Sequence, residues 1–342
     1  MANDLRLKRG EARRAGSPGV IFAALLVLLI AVACLTISYR VSGLAWGPLF
    51  HPSDSSEDTL LTYTVWHVRL PRLMLAISLG AALAVAGCLL QTITRNGLAD
   101  PEIMGLNQGA SWLAVVALLF FGEMDSSNVI LLAALCGAGL SGTLLILFVR
   151  FGVRDQARFI LAGVAISAFL GALTTGTLLL FETQLTEMLY WMAGKLSGAE
   201  WRDNKLIWML DIPVLVAAYL SAGTLNVLAQ GDEIASGLGV NVRRTRAYMA
   251  VIVMVLTGSA VAVAGPIGFV GLIVPHIARR IGGANHRLLL PLSALTGALL
   301  LASADFAAQW LSYPSEIPVG IVTALMGVPF FLYLLRRGRD VG

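Results

Sequence analysis

Long runs of apolar residues recur along this chain, and they constrain its fold more than any single motif does. The hydrocarbon core of a bilayer is about 30 Å thick, so a membrane-spanning helix needs roughly 20 mainly apolar residues. The runs are continuous and rich in Leu and Ala, whereas the strands of a membrane barrel alternate over about ten residues. The sequence therefore predicts an all-α, polytopic membrane protein with about ten transmembrane helices. The predicted spans are residues 19–39, 66–92, 101–121, 128–149, 157–181, 205–226, 247–265, 268–283, 288–309 and 317–335.

Composition and the placement of basic residues agree with this prediction. Apolar residues make up 57% of the 342 residues and charged residues only 13%, which is more apolar surface than a soluble core can bury. Basic residues near a membrane favour its cytoplasmic side. With both termini in the cytoplasm, 18 of the 24 Lys and Arg residues fall in cytoplasmic segments. This topology accounts for the net charge of +4, so nucleic-acid binding is not predicted.

We expect one transmembrane domain over residues 1–342. It comprises a basic cytoplasmic N-terminus (1–18), a helical bundle (19–335) and a cytoplasmic tail (336–342). The first apolar run could instead be a cleaved signal, because basic residues precede it and it ends in the small residues Ala31-Val32-Ala33-Cys34. We favour an uncut span because the run is long enough to cross the membrane.

Motifs of enzymes and metal sites are missing from the sequence. No GxxxxGK[ST] phosphate loop and no nucleophile elbow occurs, so any ATP would be bound by another polypeptide. The histidines lack the spacing of metal ligands, and the cysteines lie within apolar runs as small buried residues do. We therefore predict no catalytic residue, metal site or bound cofactor in this chain. The residues concerned are His51, His67, His276, His286, Cys34, Cys88 and Cys136.

Two carboxylates fall within predicted spans. Asp211 precedes Pro213 by two residues, and Asp305 lies near the outer end of the ninth span. Acids inside a membrane are costly and often functional, but they also form hydrogen bonds with neighbouring helices. A structural role and a role in ion coupling both remain open from the sequence.

The polar stretch from Asn226 to Arg246 predicts a knob on the cytoplasmic face. Asp232 and Glu233 suit the start of a short helix, and Gly237 and Gly239 would end it. We expect a short helix, a sharp turn and a second short helix over about residues 230–242, hereafter the knob.

Four blocks of sequence then indicate a family. They are RLPRLMLAISLGAALAVAGCLLQTITRNGLADPEIMGLNQGA (69–110), LYWMAGKLSG (189–198), AGPIGFVGLIVPHIARRIGGANHRLLLP (264–291) and SEIPVGIVTALMGVPFFLYLL (315–335). From about residue 66 onward the chain resembles the iron-chelate and vitamin B12 permeases of binding-protein-dependent ABC importers, the FecCD/BtuC type. One departure is Gly97, where the family usually has Pro in RNPLA; Gly makes that turn looser without removing it.

The resemblance implies a BtuC-like type II importer permease and assigns roles to several residues. Family members pair as dimers of like or unlike chains and dock two ATPase subunits, which carry ATP and Mg, through the segment that is the knob here. Arg69 and Arg72 match arginines that dock the substrate-binding protein, with anchoring to lipid phosphates as the alternative, whereas a third docking arginine is replaced by Gln309. Thr175, with Thr174 beside it, matches the translocation path, and a packing hydroxyl bonded to its own helix is the alternative. The matching ATPase-coupling residues are Asp232, Glu233, Ala235, Ser236, Gly237, Leu238, Gly239 and Val240.

The expected function is import of a ferric siderophore across the bacterial inner membrane by alternating access, driven by partner ATPases. The GLNQGA version of residues 105–110 and the loss of the arginine at Gln309 look more like siderophore permeases than vitamin B12 ones. Haem and cobalamin are the alternative substrates. A carrier driven by protons or sodium and a membrane-embedded enzyme are the alternative classes.

Overall fold

The computed structural model describes residues 18–39, 56–121, 127–150, 156–181, 185–312 and 315–338. Within them every regular element is a helix, which confirms the predicted fold class. Residues 1–17 of the predicted N-terminal segment and 339–342 of the tail lie outside the described residues. The α-helices are α1 (Pro18–Ser38), α2 (Ser56–Tyr63), α3 (Leu70–Thr94), α4 (Leu106–Phe121), α5 (Ser127–Arg150), α6 (Gln156–Leu180), α7 (Leu185–Met192), α8 (Trp201–Leu220), α9 (Ala222–Leu228), α10 (Asp232–Gly237), α11 (Val242–Ala264), α12 (Val270–Gly282), α13 (His286–Leu311) and α14 (Val319–Gly338).

The helices follow the predicted spans, but several differ from them in length or continuity. In the described part of the chain, six helices are long and apolar enough to cross a membrane, and α8 with α9 forms a seventh that bends by 54°. The helices α4 and α14 are shorter apolar segments. The second span starts earlier than predicted, because a π-helical turn (Thr64–Arg69) joins α2 to α3.

The eighth predicted span, 268–283, corresponds to a helix that is shorter than the others. The helix there, α12, has only 13 residues, which at 1.5 Å per residue gives about 20 Å, less than the thickness of the hydrocarbon core. Residues 265–269, between α11 and α12, are not helical. Gly271, in the first turn of α12, contacts Gly87, which lies well inside α3. The chain therefore enters this part of the bundle as non-helical backbone and continues as the short helix α12.

The non-helical segment and the start of α12 are stabilised by side chains from the last turn of α3, the turns that follow it and the first turn of α4. Asn107 donates to the Ile267 carbonyl over 3.3 Å, and Gln91 donates to the Gly271 carbonyl over 3.1 Å. The Glu102 carboxylate fills the space beside Gly268, and an Asp100 carboxylate oxygen lies beside Gly271. Non-helical backbone at membrane depth is tolerated only where the protein supplies such partners. The sequence blocks 69–110 and 264–291 are thus brought into direct contact.

Helix α3 is the buried centre of the bundle. Its core residues include Leu73, Leu79 and Leu89, and it packs against α8, α11, α12 and α13. At the crossing with α13, Gly80 and Gly297 lie backbone to backbone, so that a Cβ on either one would overlap the other's carbonyl oxygen. Such close approach is how helices associate in lipid, where the hydrophobic effect does not drive them together.

We expect Gly80→Ala to destabilise the folded chain, because the added methyl group has no space between α3 and α13. Overpacking of this kind costs roughly 1–3 kcal/mol. The matched control is Gly139→Ala on α5, where a Cβ would meet no heavy atom within 4 Å. Thermal unfolding in detergent should show a lower midpoint for Gly80→Ala only. Equal midpoints for the two variants would contradict this packing.

Candidate functional site

The knob is a short helix that projects from the bundle between α9 and α11. Of the residues predicted to couple to an ATPase, Ala235 is fully buried and anchors α10 in the core. Glu233, Ser236, Gly237 and Gly239 are exposed, as are two large apolar side chains, Ile234 (49% exposed) and Leu238 (64% exposed). The arrangement presents apolar side chains on a supported helix, which suits a protein partner more than water.

Hydrogen bonds fix the turn that follows α10. The Val240 N–H donates to the Ala235 carbonyl (2.9 Å) and the Gly239 N–H donates to the Ser236 carbonyl (3.0 Å). Together with a φ of 82° at Gly239, these bonds form a Schellman motif, in which the left-handed residue is usually Gly. The predicted helix end is therefore correct, but Gly239 makes the turn, whereas Gly237 is still helical.

The predicted second short helix of the knob is not a separate element. Asn241 caps a new helix by accepting a hydrogen bond from the Arg244 N–H over 3.0 Å. That helix is α11, which continues for 23 residues to Ala264. The knob is therefore continuous with a long core helix on its C-terminal side.

Asp232, the first residue of α10, connects the knob to two core helices. Its Oδ1 accepts from the Arg246 guanidinium on α11 over 2.9 Å and from the Arg95 guanidinium. Arg95 has a left-handed backbone (φ 50°) and is the residue at which α3 ends. One carboxylate thus holds the end of α3, the start of α10 and the start of α11 together.

A second polar cluster lies behind the knob and is formed by Asn226, His286 and Thr92. The Asn226 Oδ1 on α9 accepts from the His286 backbone N–H (2.8 Å) and lies 2.9 Å from its Nδ1. The other ring nitrogen, Nε2, lies 2.8 Å from the Thr92 hydroxyl on α3. His286 is buried and begins α13, so the cluster joins α3, α9 and α13.

The opposite end of the bundle is organised by Arg72, near the start of α3. Its guanidinium donates to both carboxylate oxygens of Asp305 on α13 over 2.8–3.1 Å and to Glu316 over 2.7 Å. The side chains of Arg72 and Asp305 are 10% and 2% exposed. Gln309 donates to the remaining lone pairs of Asp305 over 2.8 Å. Of the two roles left open for Asp305, the structure shows the structural one, a buried ion pair.

Arg69 also has partners within the chain. Its guanidinium donates to the Thr36 and Ile37 carbonyls at the end of α1, both over 2.9 Å. Docking of a binding protein through Arg69 and Arg72 stays a prediction. Direct pairing through Arg72 would require it to leave Asp305 and Glu316.

Thr174 and Thr175 both lie on α6 but face different surroundings. Thr174 is fully buried, and Thr175 is exposed on the outside of the bundle. Each hydroxyl donates to the carbonyl four residues earlier, over 2.9 Å and 3.0 Å. Their assignment to the translocation path stays a prediction, and Thr175 is the one of the two that a solute or a second subunit could reach.

Asp211 is the other carboxylate that the sequence places within a predicted span, and it is buried. One carboxylate oxygen accepts from the Ser259 hydroxyl on α11 over 2.8 Å, whereas the second has no partner among the described residues. Across those same residues no group of three His, Cys, Asp or Glu side chains could hold a metal ion.

A multi-pass helical bundle with an exposed knob that is fixed to core helices is typical of a membrane permease that works with separate subunits. The chain belongs to the FecCD transport family, whose model matches residues 24–337. It is 42% identical to the Fe(3+)-citrate import system permease protein YfmD of Bacillus subtilis, over 84% of this chain and 85% of that protein. It is 39% identical to the vitamin B12 import system permease protein BtuC of Vibrio cholerae, over 92% and 94%.

A solved structure has the same fold. It is described as an inward-facing conformation of a metal-chelate type ABC transporter, with a TM-score of 0.81 and 29% identity, and it covers 94% of this chain and 99% of its own. The family consists of ABC importer permeases, which work with ATPase and substrate-binding partners. The chain is therefore a multi-pass transport subunit and not an enzyme, and ATP hydrolysis belongs to partner subunits.

Three contacts were not found from the sequence: Asp232 with Arg95, His286 with Thr92, and Arg72 with Asp305. The last pair is 233 residues apart in the chain. The available signal was the position of Thr92 and Arg95 in the last turn of a long apolar helix, where polar side chains bond to neighbouring elements.

We expect Gly239→Ala to loosen the knob, because a Cβ in the left-handed region costs about 1–2 kcal/mol. Hydrogen–deuterium exchange should show faster exchange of the Val240 amide, whose hydrogen bond closes the turn. The control is Gly237→Ala, which is helical and has open space around its Cβ. If both variants exchange at the wild-type rate, the Schellman turn is not what fixes the knob.

We also expect Asp305→Asn to lower the midpoint of thermal unfolding strongly. Removing one partner of a buried ion pair costs about 3–5 kcal/mol in soluble proteins, because the other charge stays buried. Glu316→Gln should cost much less, since the Glu316 side chain is 40% exposed. A larger loss for Glu316→Gln than for Asp305→Asn would show that Arg72 depends mainly on Glu316.

Proposed function

We propose that this chain is the permease subunit of an ABC importer that carries a ferric siderophore across the bacterial inner membrane. The observation that carries this proposal is the knob, which is exposed at its apolar tip and fixed at its base to α3 and α11. A rigid element of this kind, seated in a moving partner, transmits rigid-body motion to the helices behind it. ATP binding and hydrolysis in the partners would then open the bundle to alternate sides.

Membership of the FecCD family supports a chelate-sized substrate, because relatives are described as permeases for Fe(3+)-citrate and for vitamin B12. We favour a ferric siderophore on the grounds of GLNQGA at residues 105–110 and of Gln309 in place of an arginine. Haem and cobalamin are the alternatives within the family. Uptake of the three radiolabelled chelates through the complete importer separates them.

The proposed assembly has two ATPase subunits at the knob, a second permease chain of the same or another sequence, and a binding protein at the Arg72 end. The knob end and both termini would face the cytoplasm, in line with the basic residues at 243, 244, 279, 280 and 287. Arg69 and Arg72 would shape the docking face from within, by holding Ile37 and Glu316 in place.

An ion-coupled carrier is the second candidate class, and Asp211 is the residue that favours it because one of its oxygens lacks a partner. Asp305 does not support it, since Arg72 neutralises that carboxylate. Reconstitution distinguishes the two classes. Uptake into proteoliposomes that contain the chain with its ATPase should require ATP on the side of the membrane that the ATPase faces. Uptake by the chain alone under a proton or sodium gradient would overturn the proposal.

We expect Leu238→Asp to abolish co-purification of the ATPase subunits, because it places a charge at the most exposed apolar side chain of the knob. Leu238→Met keeps an apolar side chain of similar size and should retain the ATPase. Retention of the ATPase by Leu238→Asp, with normal ATP-dependent uptake, would remove the knob from the proposed interface.

A further inference from the structure

Two side chains at the end of α3 connect this helix to the start of the knob and, through His286, to the helix before it. Thr92 lies in the last turn of α3, and Arg95, whose backbone is left-handed, is the residue that ends it. Thr92 contacts His286, which is bonded to Asn226 on α9, the helix before the knob. Arg95 bonds to Asp232, the first residue of α10. The end of α3 therefore contacts the knob directly through Arg95 and is linked to α9, the helix before the knob, through Thr92 and His286.

The contact through His286 links Asn226 to Thr92. The Nδ1 atom of His286 lies 2.9 Å from Asn226 Oδ1, and its Nε2 lies 2.8 Å from the Thr92 hydroxyl, which also donates to the Cys88 carbonyl of its own helix over 2.8 Å. The Asn226 amide nitrogen donates to Asn285 Oδ1 over 2.9 Å. The amide oxygen of Asn226 thus bonds to His286 and its amide nitrogen to Asn285. A displacement of α9 must therefore move His286 and the contact of His286 with Thr92.

The opposite end of α3 is also fixed to neighbouring parts of the bundle by ion pairs. Arg72 is bonded to Asp305 and Glu316 at the other end of the bundle. Helix α3 has 25 residues, so about 37 Å separate its two ends. Between them, backbone contact of Gly80 with Gly297 and of Gly87 with Gly271 leaves no space for α3 to slide past α13 or α12. A push on the last turn of α3 is therefore passed to the Arg72 end as motion of a packed unit.

We propose that α3 carries the displacement of the knob across the bundle, and that Thr92 and Arg95 are the positioning residues through which the knob moves it. This inference rests on the proposed function, because it assumes that an ATPase drives the knob. Neither residue touches the transported solute in this arrangement. Their loss should leave ATP hydrolysis intact while less of it is converted into transport.

The hydroxyl can be tested with a matched pair of variants. Thr92→Val removes the contact with His286 together with a bond to the Cys88 carbonyl of its own helix (2.8 Å), whereas Thr94→Val removes only a bond of the second kind, to the Leu90 carbonyl over 2.7 Å. In proteoliposomes with the ATPase and the binding protein, solute imported per ATP hydrolysed should fall about fivefold or more for Thr92→Val, the lower range for coupling between sites. It should be unchanged for Thr94→Val and restored in Thr92→Ser.

The charge can be tested in the same assay. Arg95→Ala should lower the import per ATP, and Arg95→Lys should preserve it because a cation still faces Asp232. Thermal unfolding and ATPase retention are measured for every variant. The inference is overturned if Thr92→Val and Arg95→Ala keep the wild-type import per ATP, or if they lower stability and uptake in parallel at an unchanged ratio.

Failure of the proposed function has a separate signature. If the wild-type chain does not retain an ATPase, or if its transport does not need ATP, the proposed function fails before the variants are compared. If the wild type behaves as proposed and the Thr92 and Arg95 variants remain coupled, only the role of α3 is lost.

Discussion

Every backbone N–H and C=O inside lipid must find a partner within the protein, and residues 265–271 meet this demand without a complete helix. Asn107 and Gln91 donate to carbonyls of this segment, and the Asp100 and Glu102 carboxylates lie beside Gly271 and Gly268. These side chains come from the end of α3, the turns after it and the first turn of α4. The arrangement fixes where α12 begins, and it explains why two distant blocks of the sequence share one region of the bundle.

Gln91 connects the start of α12 to the end of the bundle at which the knob lies. Its amide nitrogen donates to the Gly271 carbonyl near the start of α12, and its Oε1 accepts from the Arg279 guanidinium near the end of that helix, over 2.6 Å. His276, also on α12, lies 2.8 Å from the Gly97 carbonyl in the turn that follows α3. Helix α12 is thus bonded to α3 and its turn along its length. A loose turn at Gly97 is tolerated because these contacts, and not a proline, hold it.

Apolar periodicity and length were sufficient to predict the fold class and most helices, since the membrane sets both. They could not predict that the segment 268–283 contains only a short helix, because the composition of an apolar segment does not reveal where within it the helix begins. Gly265-Pro266 was the available signal of a break. The knob's first helix was predicted from Asp232 and Gly239, whereas its second merged with α11 because Asn241 caps that helix directly.

Contacts between residues that are distant in the sequence could not be predicted from it. The cluster around Arg72 shows how such contacts change the charge that a surface presents. Viewed as isolated residues, Arg72 and Arg69 suggest a cationic docking face. In the folded chain Asp305 neutralises Arg72, and Gln309, which carries no charge, completes the hydrogen bonding of Asp305. The side chain of this cluster that reaches solvent is Glu316, at 40% exposure against 10% for Arg72. A partner that approaches this cluster therefore meets a carboxylate ordered by a buried arginine, so its complementary group at this point is a cation or a hydrogen-bond donor.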